Sequence, residues 1–504
     1  MGIATIYSRA QDGIHAPEVI VEIHLSRGLP SFSIVGLPET TVKESKDRVR
    51  SAIINNHFEF PLSRITVNLA PADLPKEGAR FDLPIAIGIL IASRQLPSSI
   101  ENDYEFIGEL SLTGDLRPIK GALPVSIACQ KIKRKLILPI ENIDEATLVD
   151  KSICLPATHL LDVYEHLTRR KPIQIHSNRI KTHIEQYKSD MNEIIGHEHA
   201  KRALEIAAAG RHNLLMIGHP GSGKTMLAER LPTIMPPLSD EEALESAAIL
   251  SISQHGINLK NWGKRIFRSP HHSASSAALV GGGSVPRPGE ISLAHHGILF
   301  LDELPEFDRK VLEVLREPME SGRIIISRAA RQVEFPSRFQ LIAAMNPCPC
   351  GYLGDASGRC RCTEEQVQRY QNKISGPLLD RIDMIIEVNS KTELIINHQQ
   401  TSGESSKAIR QRVIAAQDAQ LERNQQSNAE LTKNQLDKFC EIDEEQKALL
   451  LLATKKLGLS GRAVHRILKV ARTIADLAQQ SNINSNHLSE AISYRQKSLG
   501  TNIQ

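Results

Sequence analysis

Aromatic residues and long hydrophobic runs are both scarce in this sequence. Aromatic side chains make up 4% of the 504 residues, with a single tryptophan. The longest apolar stretch, around residues 83–92, is too short to cross a bilayer, and residues 1–9 lack the long apolar core of a signal peptide. These absences argue against a membrane-spanning protein, and we expect a cytoplasmic location with no membrane partner.

No excess of charge of one sign is present either. The 61 basic and 58 acidic residues leave a net charge of +3, so a surface for nucleic acid would have to be local. Seven cysteines occur, and four of them fall within residues 348–362, which fits a reducing compartment better than a disulfide scaffold. Hydrophobic residues at 41% indicate a globular chain, and its length predicts about three domains.

Residues 1–167 mix strand and helix patterns and predict an α+β domain. The strand patterns cover residues 18–24, 31–35, 64–69 and 105–110, and the helix patterns cover 39–55, 83–93, 144–151 and 159–167. Lys76 and Lys120 are expected at the surface. Five basic residues of this domain are predicted to form either a nucleic-acid-binding patch or an ordinary solvated surface. They are Arg48, Arg50, Arg64, Lys76 and Arg80. The polar stretch 168–190 predicts a linker.

The strongest motif lies at residues 218–225, between an apolar run of strand length and a helix pattern. It matches G-x-x-x-x-G-K-[ST], in which glycines let backbone N–H groups point at phosphate oxygens at a helix N-terminus. We predict that Lys224 reaches the β- and γ-phosphates and that Thr225 ligates Mg²⁺. The predicted nucleotide-binding residues are Gly218, His219, Pro220, Gly221, Ser222, Gly223, Lys224 and Thr225.

Two further apolar runs end in polar residues suited to hydrolysis. The run at 297–301 ends in Asp302 and Glu303, and the run at 339–345 ends in Asn346. Ligands bind at the carboxyl ends of strands in open α/β sheets. We therefore predict that Asp302 holds Mg²⁺, that Glu303 polarises the attacking water, and that Asn346 helps to place this water.

Arginines further along the chain supply candidate positive charges. Arg381, in a loop after the core strands, is predicted either as an arginine finger that enters a neighbouring subunit or as a partner in an intramolecular ion pair. Residues 323–335 predict a hairpin whose tip carries Arg328 and Arg331. The long segment 269–289 before Asp302 is either a loop that reaches a central pore or a flexible surface loop.

The cysteine cluster predicts a structural zinc site. Two Cys-x-Cys pairs bracket a short loop, and four thiolates so close in sequence can hold one Zn²⁺ tetrahedrally. The alternative is four reduced thiols, because Cys-x-Cys is a tighter spacing than the usual Cys-x-x-Cys. The four residues are Cys348, Cys350, Cys360 and Cys362.

The order of these motifs resembles that of AAA+ ATPases, most closely their magnesium-chelatase-like branch. Longer segments resemble the YifB/ComM group of bacterial proteins; they are residues 200–216, 268–273 and 346–351. The resemblance implies a homohexameric ATPase that uses ATP and Mg²⁺, and in ComM-type members a DNA helicase that drives branch migration during natural transformation. It further implies that hairpin tips line the pore of the ring and grip DNA without reading its sequence.

The same resemblance implies three domains. Residues 1–167 resemble the Lon-protease-like fold, but Arg80 stands at the position of the nucleophilic serine and the lysine position falls near Leu123, so this domain is expected to be non-catalytic. Residues 191–390 form the α/β AAA+ core, and residues 391–504 form a helical lid. Helix patterns in the lid cover residues 406–424, 432–441, 443–457, 462–479 and 486–495.

In the family, the arginine of a Ser-x-Arg pattern in the lid is a second sensor that contacts the γ-phosphate, and residues 460–462 match this pattern. Arg462 matches this position, and Arg466, one turn further on, is the second candidate. Together the motifs predict a ring-forming motor that hydrolyses ATP and moves on single-stranded or branched DNA. A chelatase-type motor that remodels a protein partner and a non-enzymatic nucleotide-binding scaffold are the alternatives; Glu303 argues against the scaffold, and the basic hairpin favours DNA.

Overall fold

A computed structural model describes residues 2–98, 102–176, 187, 189–283, 286–328, 331–355, 358–389 and 403–495. The chain forms two compact units, the first from residues 1–183 and 240–262 and the second from residues 184–239 and 263–504. Within the described ranges, none of the helices has both the length and the apolar composition needed to cross a membrane. Residues 177–186 and 188 of the predicted linker, residue 390 of the predicted core and residues 391–402 at the predicted start of the lid lie outside the described residues.

The first unit contains strands and helices in alternation. Its strands are β1 (Gly2–Arg9), β2 (Glu18–Ser26), β3 (Ser31–Val35), β4 (Arg64–Ala70), β5 (Tyr104–Phe106), β6 (Glu109–Leu110), β7 (Leu116–Arg117), β8 (Lys135–Pro139) and β9 (Cys154–Ala157). Its helices begin with α1 (Thr40–Lys43), α2 (Ser45–Asn55), α3 (Asp82–Ala92), α4 (Ala122–Ile132), α5 (Ile143–Ala146) and α6 (Leu160–Leu167). A mixed sheet runs in the order β3-β4-β2-β1-β5-β8-β9.

Helix α3 is the centre of this unit. Every residue from Asp82 to Ala92 is buried, which explains why its sequence is apolar on all sides. The helix lies so close to the sheet that a Cβ atom on Gly88 would come within 2.5 Å of Ile23 Cγ1. Strand β2 alternates buried and exposed residues, because one of its faces packs under this helix.

The sequence predicted α3 and strands β2 to β4, and the structure confirms them. The predicted helix 39–55 is interrupted at Glu44 and forms two helices, α1 and α2. The predicted strand 105–110 divides into β5 and β6 around Gly108, because the φ angle of +158° at this residue favours glycine. The predicted helix 144–151 is limited to the single turn of α5. Strands β1, β8 and β9 and helix α4 were not predicted.

The second unit continues with α7 (Glu198–Gly210), β10 (Leu214–Ile217) and α8 (Lys224–Ile234). After α9 (Asp240–Ile252), which belongs to the first unit, come β11 (Phe267–Arg268), α10 (Ser276–Val280), β12 (Gly281–Gly282), β13 (Arg287–Pro288), α11 (Glu290–Leu293), β14 (Ile298–Leu301), α12 (Arg309–Glu313), α13 (Arg316–Ser321), β15 (Arg323–Arg328), β16 (Arg331–Pro336), β17 (Gln340–Met345), α14 (Glu364–Gln371), α15 (Gly376–Leu379) and β18 (Met384–Glu387).

A parallel sheet in the order β11-β14-β17-β10-β18 forms the centre of the second unit. Strands β10, β14 and β17 are buried along their whole length, as expected for parallel strands covered on both faces. Strands β15 and β16 pair as an antiparallel hairpin, which confirms the backbone of the predicted hairpin. The side chains of Arg328 and Arg331 lie outside what the structure describes.

The C-terminal helices are α16 (Ser406–Asn424), α17 (Lys433–Phe439), α18 (Glu444–Leu457), α19 (Gly461–Leu477) and α20 (Ser485–Ser493). Each begins and ends within two residues of its predicted bounds. Ile467, Val470 and Ile474 of α19 are buried at helical spacing and join the core that surrounds α7. The helix therefore packs one apolar face against this core.

Residues 240–262, which the sequence analysis included in the AAA+ core, pack with the first unit. Ala247 and Ala248 of α9 share a buried cluster with Leu123 of α4 and with Val149. The Gly121 N–H donates a hydrogen bond to the Ser251 carbonyl at 3.1 Å. A short apolar face on α9 thus completes the N-terminal unit rather than the nucleotide-binding sheet.

The predicted surface position of Lys76 is wrong, and the five basic residues do not form the nucleic-acid-binding patch that was one of their two alternatives. Lys76 is fully buried, its ammonium donates to the Pro71 carbonyl, and burial lowers the pKa of this amine. Arg80 is also buried, and burial lowers its pKa to about 10. Arg48 donates to the buried Asp82 carboxylate at 2.6 Å. Only Arg50 and Arg64 of the five basic residues are exposed, whereas Lys120 is exposed as predicted.

Candidate nucleotide-binding site

The loop between β10 and α8 needs glycine at three positions. Gly221 and Gly223 have φ angles of +74° and +89°, a region that residues with a side chain rarely adopt. A Cβ atom on Gly218 would lie 2.3 Å from the Val388 carbonyl oxygen, so a side chain cannot be accommodated there. Helix α8 begins directly after this turn, at Lys224. Such a turn at a helix N-terminus is suited to phosphate groups.

Lys224 and Asn346 meet at this loop. The Lys224 ammonium donates hydrogen bonds to the Gly218 and His219 carbonyl oxygens at 2.7 and 3.0 Å and to Asn346 Oδ1 at 3.2 Å. Its side chain is largely buried, and this burial lowers the pKa of the amine, against the raising effect of Asp302 and Glu303. The predicted phosphate-binding lysine and the predicted sensor asparagine are therefore in direct contact.

Thr225 and Asp302 form the second contact of the site. The Thr225 hydroxyl donates to Asp302 Oδ2 at 2.7 Å, and Asp302 Oδ1 accepts a hydrogen bond from the Glu303 N–H at 2.9 Å. A hydroxyl beside a carboxylate is the oxygen donor set that Mg²⁺ takes in phosphate sites, with waters and phosphate oxygens completing its shell. The residues present thus fit a magnesium ion held by Thr225 and Asp302.

Glu303 has a partner that the sequence did not single out. His272 Nδ1 lies 3.1 Å from Glu303 Oε2, and both side chains are substantially exposed. In the sequence, the string Ser-Pro-His-His at 269–272 is only the start of the long segment 269–289. No local signal in the sequence could have found it, because the parallel pairing of β11 with β14 brings it next to Asp302 and Glu303.

Arg381 is engaged within its own chain. Its guanidinium donates to the Pro377 carbonyl at 2.7 Å and the Arg316 carbonyl at 3.2 Å, and it forms an ion pair with Glu320. The side chain is 9% exposed. Of the two predictions for Arg381, the intramolecular ion pair is the one that the structure contains.

The two arginines predicted as candidate sensors of the γ-phosphate, Arg462 and Arg466, lie on α19 and differ in their surroundings. Arg466 forms an ion pair with Asp383, a carboxylate that is 2% exposed and also accepts the Asn213 N–H at 2.8 Å. These partners hold the pKa of Asp383 far below its usual range, against the raising effect of burial. Arg462 is exposed and forms no hydrogen bond or ion pair with the described residues. Arg462 is therefore available for a ligand, whereas Arg466 is committed to a structural contact.

The four clustered cysteines lie together after Asn346. Cys348 Sγ lies 3.4 Å from Cys350 Sγ and 3.8 Å from Cys360 Sγ, and the four sulfurs lie within 4.8 Å of one another. Sulfurs bound tetrahedrally at about 2.3 Å from zinc are roughly 3.8 Å apart, so this arrangement fits one zinc ion. Backbone N–H groups of Tyr352 and Arg361 lower the pKa of Cys350 to about 6.

The cysteine loop also contacts the phosphate loop. His219 Nδ1 lies 2.8 Å from the Gly351 carbonyl oxygen, and the His219 ring stacks with Tyr352. Gly351 has a φ of +85°, and a Cβ atom there would lie 2.7 Å from the Pro220 ring. The segment that follows β17 therefore carries Asn346 and the four cysteines, and it contacts the phosphate loop through Gly351 and Tyr352.

A phosphate loop that meets an acid pair and an asparagine on parallel strands defines a P-loop nucleotide-binding protein of the ATPase class. Residues 190–395 match the family described as "Magnesium chelatase, subunit ChlI", residues 21–142 match "Subunit ChlI of Mg-chelatase", and residues 403–495 match "Magnesium chelatase, subunit ChlI C-terminal". The chain belongs to the ComM/YifB group of this magnesium-chelatase-like AAA+ family, and membership implies ATPase activity in general.

Similar proteins cover almost the whole chain. "Competence protein ComM" of Haemophilus influenzae is 51% identical over 499 residues, which are 98% of each chain. "Uncharacterized protein YifB" of Salmonella typhimurium is 51% identical over 98% of this chain and 97% of its own. The "Magnesium-chelatase 38 kDa subunit" of Acidiphilium rubrum is 28% identical over 42% of this chain and 55% of its own.

Replacing Arg466 by alanine should destabilise the second unit, because the buried Asp383 loses its cationic partner. We expect a loss of about 3 kcal/mol in the free energy of unfolding, measured by chemical denaturation of the full chain. Arg462→Ala is the matched control, since this side chain is exposed on the same helix, and should change stability by less than about 0.5 kcal/mol. Equal stabilities of the two variants would contradict the structural role of Arg466.

Proposed function

We propose that this protein is an ATP-hydrolysing motor that acts on DNA as a ring of six identical subunits. The observation that carries the ATPase part is the convergence of five side chains at one edge of the parallel sheet: Lys224, Thr225, Asp302, Glu303 and Asn346. Phosphoryl transfer depends mainly on positioning and on neutralising charge, and this set contains a group for each of these tasks.

Each residue of the set has a distinct task in the proposed reaction. Lys224 binds the β- and γ-phosphates and offsets the negative charge that develops on them. Thr225 and Asp302 would hold Mg²⁺, which supplies further positive charge to the phosphates when bound. Glu303 orients the attacking water and accepts its proton, and Asn346, fixed by its contact with Lys224, places the water on the opposite side.

Glu303→Gln should abolish ATP turnover and preserve ATP binding, because the amide keeps the size of the side chain and loses its ability to accept a proton. We expect a fall in kcat of about 100-fold or more, measured as phosphate release, with unchanged affinity for a fluorescent ATP analogue. Glu306→Gln is the control: Glu306 lies three residues further on and pairs with Lys373 at 3.4 Å. Hydrolysis by Glu303→Gln at the wild-type rate would remove Glu303 from this role.

Two arginines supply the remaining positive charges of the proposed site, one from the same subunit and one from its neighbour in the ring. Arg462 is exposed in the lid and would contact the γ-phosphate of its own subunit. Arg381 would act as the finger that enters the neighbouring site, and this requires it to leave Glu320, its partner within the chain. A finger held by an ion pair before assembly would make ATP hydrolysis depend on the formation of the ring.

Two observations support DNA as the substrate. The backbone of β15 and β16 forms a hairpin whose paired residues nearest the tip are arginines, at positions 328 and 331, and guanidinium groups bind phosphates bidentately. The relative from Haemophilus influenzae is named for competence. We therefore propose that the motor promotes branch migration during the integration of transforming DNA in the cytoplasm, and that it grips single-stranded or branched DNA through the backbone.

Branched or single-stranded DNA should stimulate ATP hydrolysis by the wild-type protein, and the stimulation should fall steeply as salt rises. The double variant Arg328→Ala/Arg331→Ala should lose most of this stimulation and retain the basal rate. Arg323→Ala is the matched control, because Arg323 lies at the base of the same hairpin and pairs with Glu334 at 3.3 Å. A wild-type protein that hydrolyses ATP without any response to DNA would contradict the proposal.

A chelatase-type motor that remodels a protein partner is the second candidate. It is favoured by the matches of three separate segments to magnesium chelatase subunit families, and the absence of a DNA response would support it.

For either motor we propose that residues 1–167 form a non-catalytic Lon-protease-like domain, since buried Arg80 and buried Leu123 stand where such enzymes carry their serine and lysine.

We also propose that the cysteine cluster holds one structural zinc ion, which keeps Gly351 against His219 of the phosphate loop. The four sulfurs are already arranged at distances close to those of a tetrahedral site. The zinc would have no part in the chemistry of hydrolysis. It would fix the turn that follows Asn346.

Purified wild-type protein should contain about one equivalent of zinc, and the variant Cys360→Ser/Cys362→Ser should contain none. We expect the variant to bind ATP roughly fivefold more weakly, because loosening the loop weakens one hydrogen bond to the phosphate loop. Cys440→Ala is the control, since Cys440 is buried far along the chain from the cluster. Less than a tenth of an equivalent of zinc in the wild-type protein would contradict this proposal.

A further inference from the structure

The four clustered cysteines differ in how far solvent reaches them. Cys348 is buried, whereas Cys350, Cys360 and Cys362 are partly exposed. Across the loop, the sulfurs of Cys350 and Cys360 lie 3.6 Å apart, so a small shift of the loop would join these two residues in a disulfide. The cysteines elsewhere in the chain are buried and therefore shielded from an oxidant in solvent; they are Cys129, Cys154 and Cys440.

Cys350 directly precedes the two residues that touch the phosphate loop. Its sulfur accepts hydrogen bonds from the backbone N–H groups of Tyr352 and Arg361. The Tyr352 ring stacks with His219, and the Gly351 carbonyl oxygen lies 2.8 Å from His219 Nδ1. A thiolate accepts hydrogen bonds more strongly than an uncharged sulfur does. Oxidation of Cys350 would therefore weaken the contact that orients Tyr352, and it would also remove one ligand of the proposed zinc ion.

We propose that Cys350 and Cys360 form a redox modification site, at which a peroxide converts the two thiolates into a disulfide, releases the zinc ion and lowers the affinity of the phosphate loop for ATP. This inference rests on the zinc site and the nucleotide site proposed above. Its physical basis is that one short segment carries both the oxidisable sulfurs and the residues that support His219.

The chemistry of the modification has two steps. One thiolate attacks the peroxide, which breaks the O–O bond and gives a sulfenic acid and a hydroxide ion. The second thiolate then attacks the sulfenic sulfur, forms the S–S bond and expels a second hydroxide ion. The two sulfurs together lose two electrons, and the peroxide gains them. Zinc is left with two thiolates, those of Cys348 and Cys362, and dissociates because a structural site needs four ligands. A dithiol reverses the modification by taking over the disulfide.

The test treats zinc-loaded, full-length protein with hydrogen peroxide. It follows the release of zinc, the affinity for a fluorescent ATP analogue, and the position of the disulfide by mass spectrometry of unreduced peptides. We expect the loss of about one equivalent of zinc, a disulfide between Cys350 and Cys360, and ATP binding that is about fivefold weaker. A dithiol added with Zn²⁺ should restore the affinity. This recovery separates the disulfide from methionine sulfoxide, which requires a dedicated reductase.

Two variants assign the effect to the cluster. Cys440→Ala should respond to peroxide as the wild-type protein does, because Cys440 is buried outside the cluster. The variant Cys360→Ser/Cys362→Ser lacks the zinc ligands and should bind ATP weakly from the start. Peroxide should change its affinity for ATP by less than about twofold, since the support of the phosphate loop is already lost.

Zinc that stays bound in peroxide would overturn the inference, and so would a disulfide between other cysteines or a release of zinc that leaves the affinity for ATP unchanged. The proposals on which it rests fail at an earlier stage, before any oxidant is added. Reduced protein that holds no zinc, or that does not bind the ATP analogue, contradicts the zinc site or the nucleotide site and overturns the inference with it. A missing response to DNA contradicts the DNA role alone, because this test uses no DNA.

Discussion

The register of three parallel strands determines the whole nucleotide site. Ile217, the last residue of β10, pairs with Met345 of β17, and Leu301 of β14 pairs with Ala343 of the same strand. Because β17 lies between the other two, the asparagine that follows it reaches the lysine of the phosphate loop. A slip of one residue in either pairing would turn every side chain of the shifted strand to the opposite face of the sheet and would separate these groups.

A buried carboxylate connects this sheet to the helices after it. Asp383 accepts the Asn213 N–H at the start of β10 and pairs with Arg466 of α19. It belongs to the same short segment as Arg381, whose own charge is held by Glu320. These two residues of one motif therefore have different roles. Asp383 joins the C-terminal helices to the phosphate-loop strand, and Arg381 is held by Glu320 within the chain.

Motifs with a fixed spacing were predictable from the sequence, and contacts between distant segments were not. Glycine spacing identified the phosphate loop, and helical periodicity located the C-terminal helices closely, because both signals are local. Arg80 was wrongly placed at the surface because its burial depends on partners far away in sequence, Gln11 and the Lys120 carbonyl. Lys76 was wrongly placed there too, since no pattern in the sequence shows that its ammonium is satisfied by the Pro71 carbonyl. His272 was missed for the same reason, since only strand pairing brings it to Glu303.

Helix α9 makes the first unit discontinuous in sequence. Its residues Ala247 and Ala248 are buried against Leu123 and Val149, although residues 184–239 of the second unit separate α9 from the rest of its own unit. A fragment that began at residue 184 would carry this helix with its apolar face uncovered, and one that ended at residue 183 would lack it. Neither unit corresponds to a single stretch of the gene, so an exchange of domains by one recombination crossover would damage both.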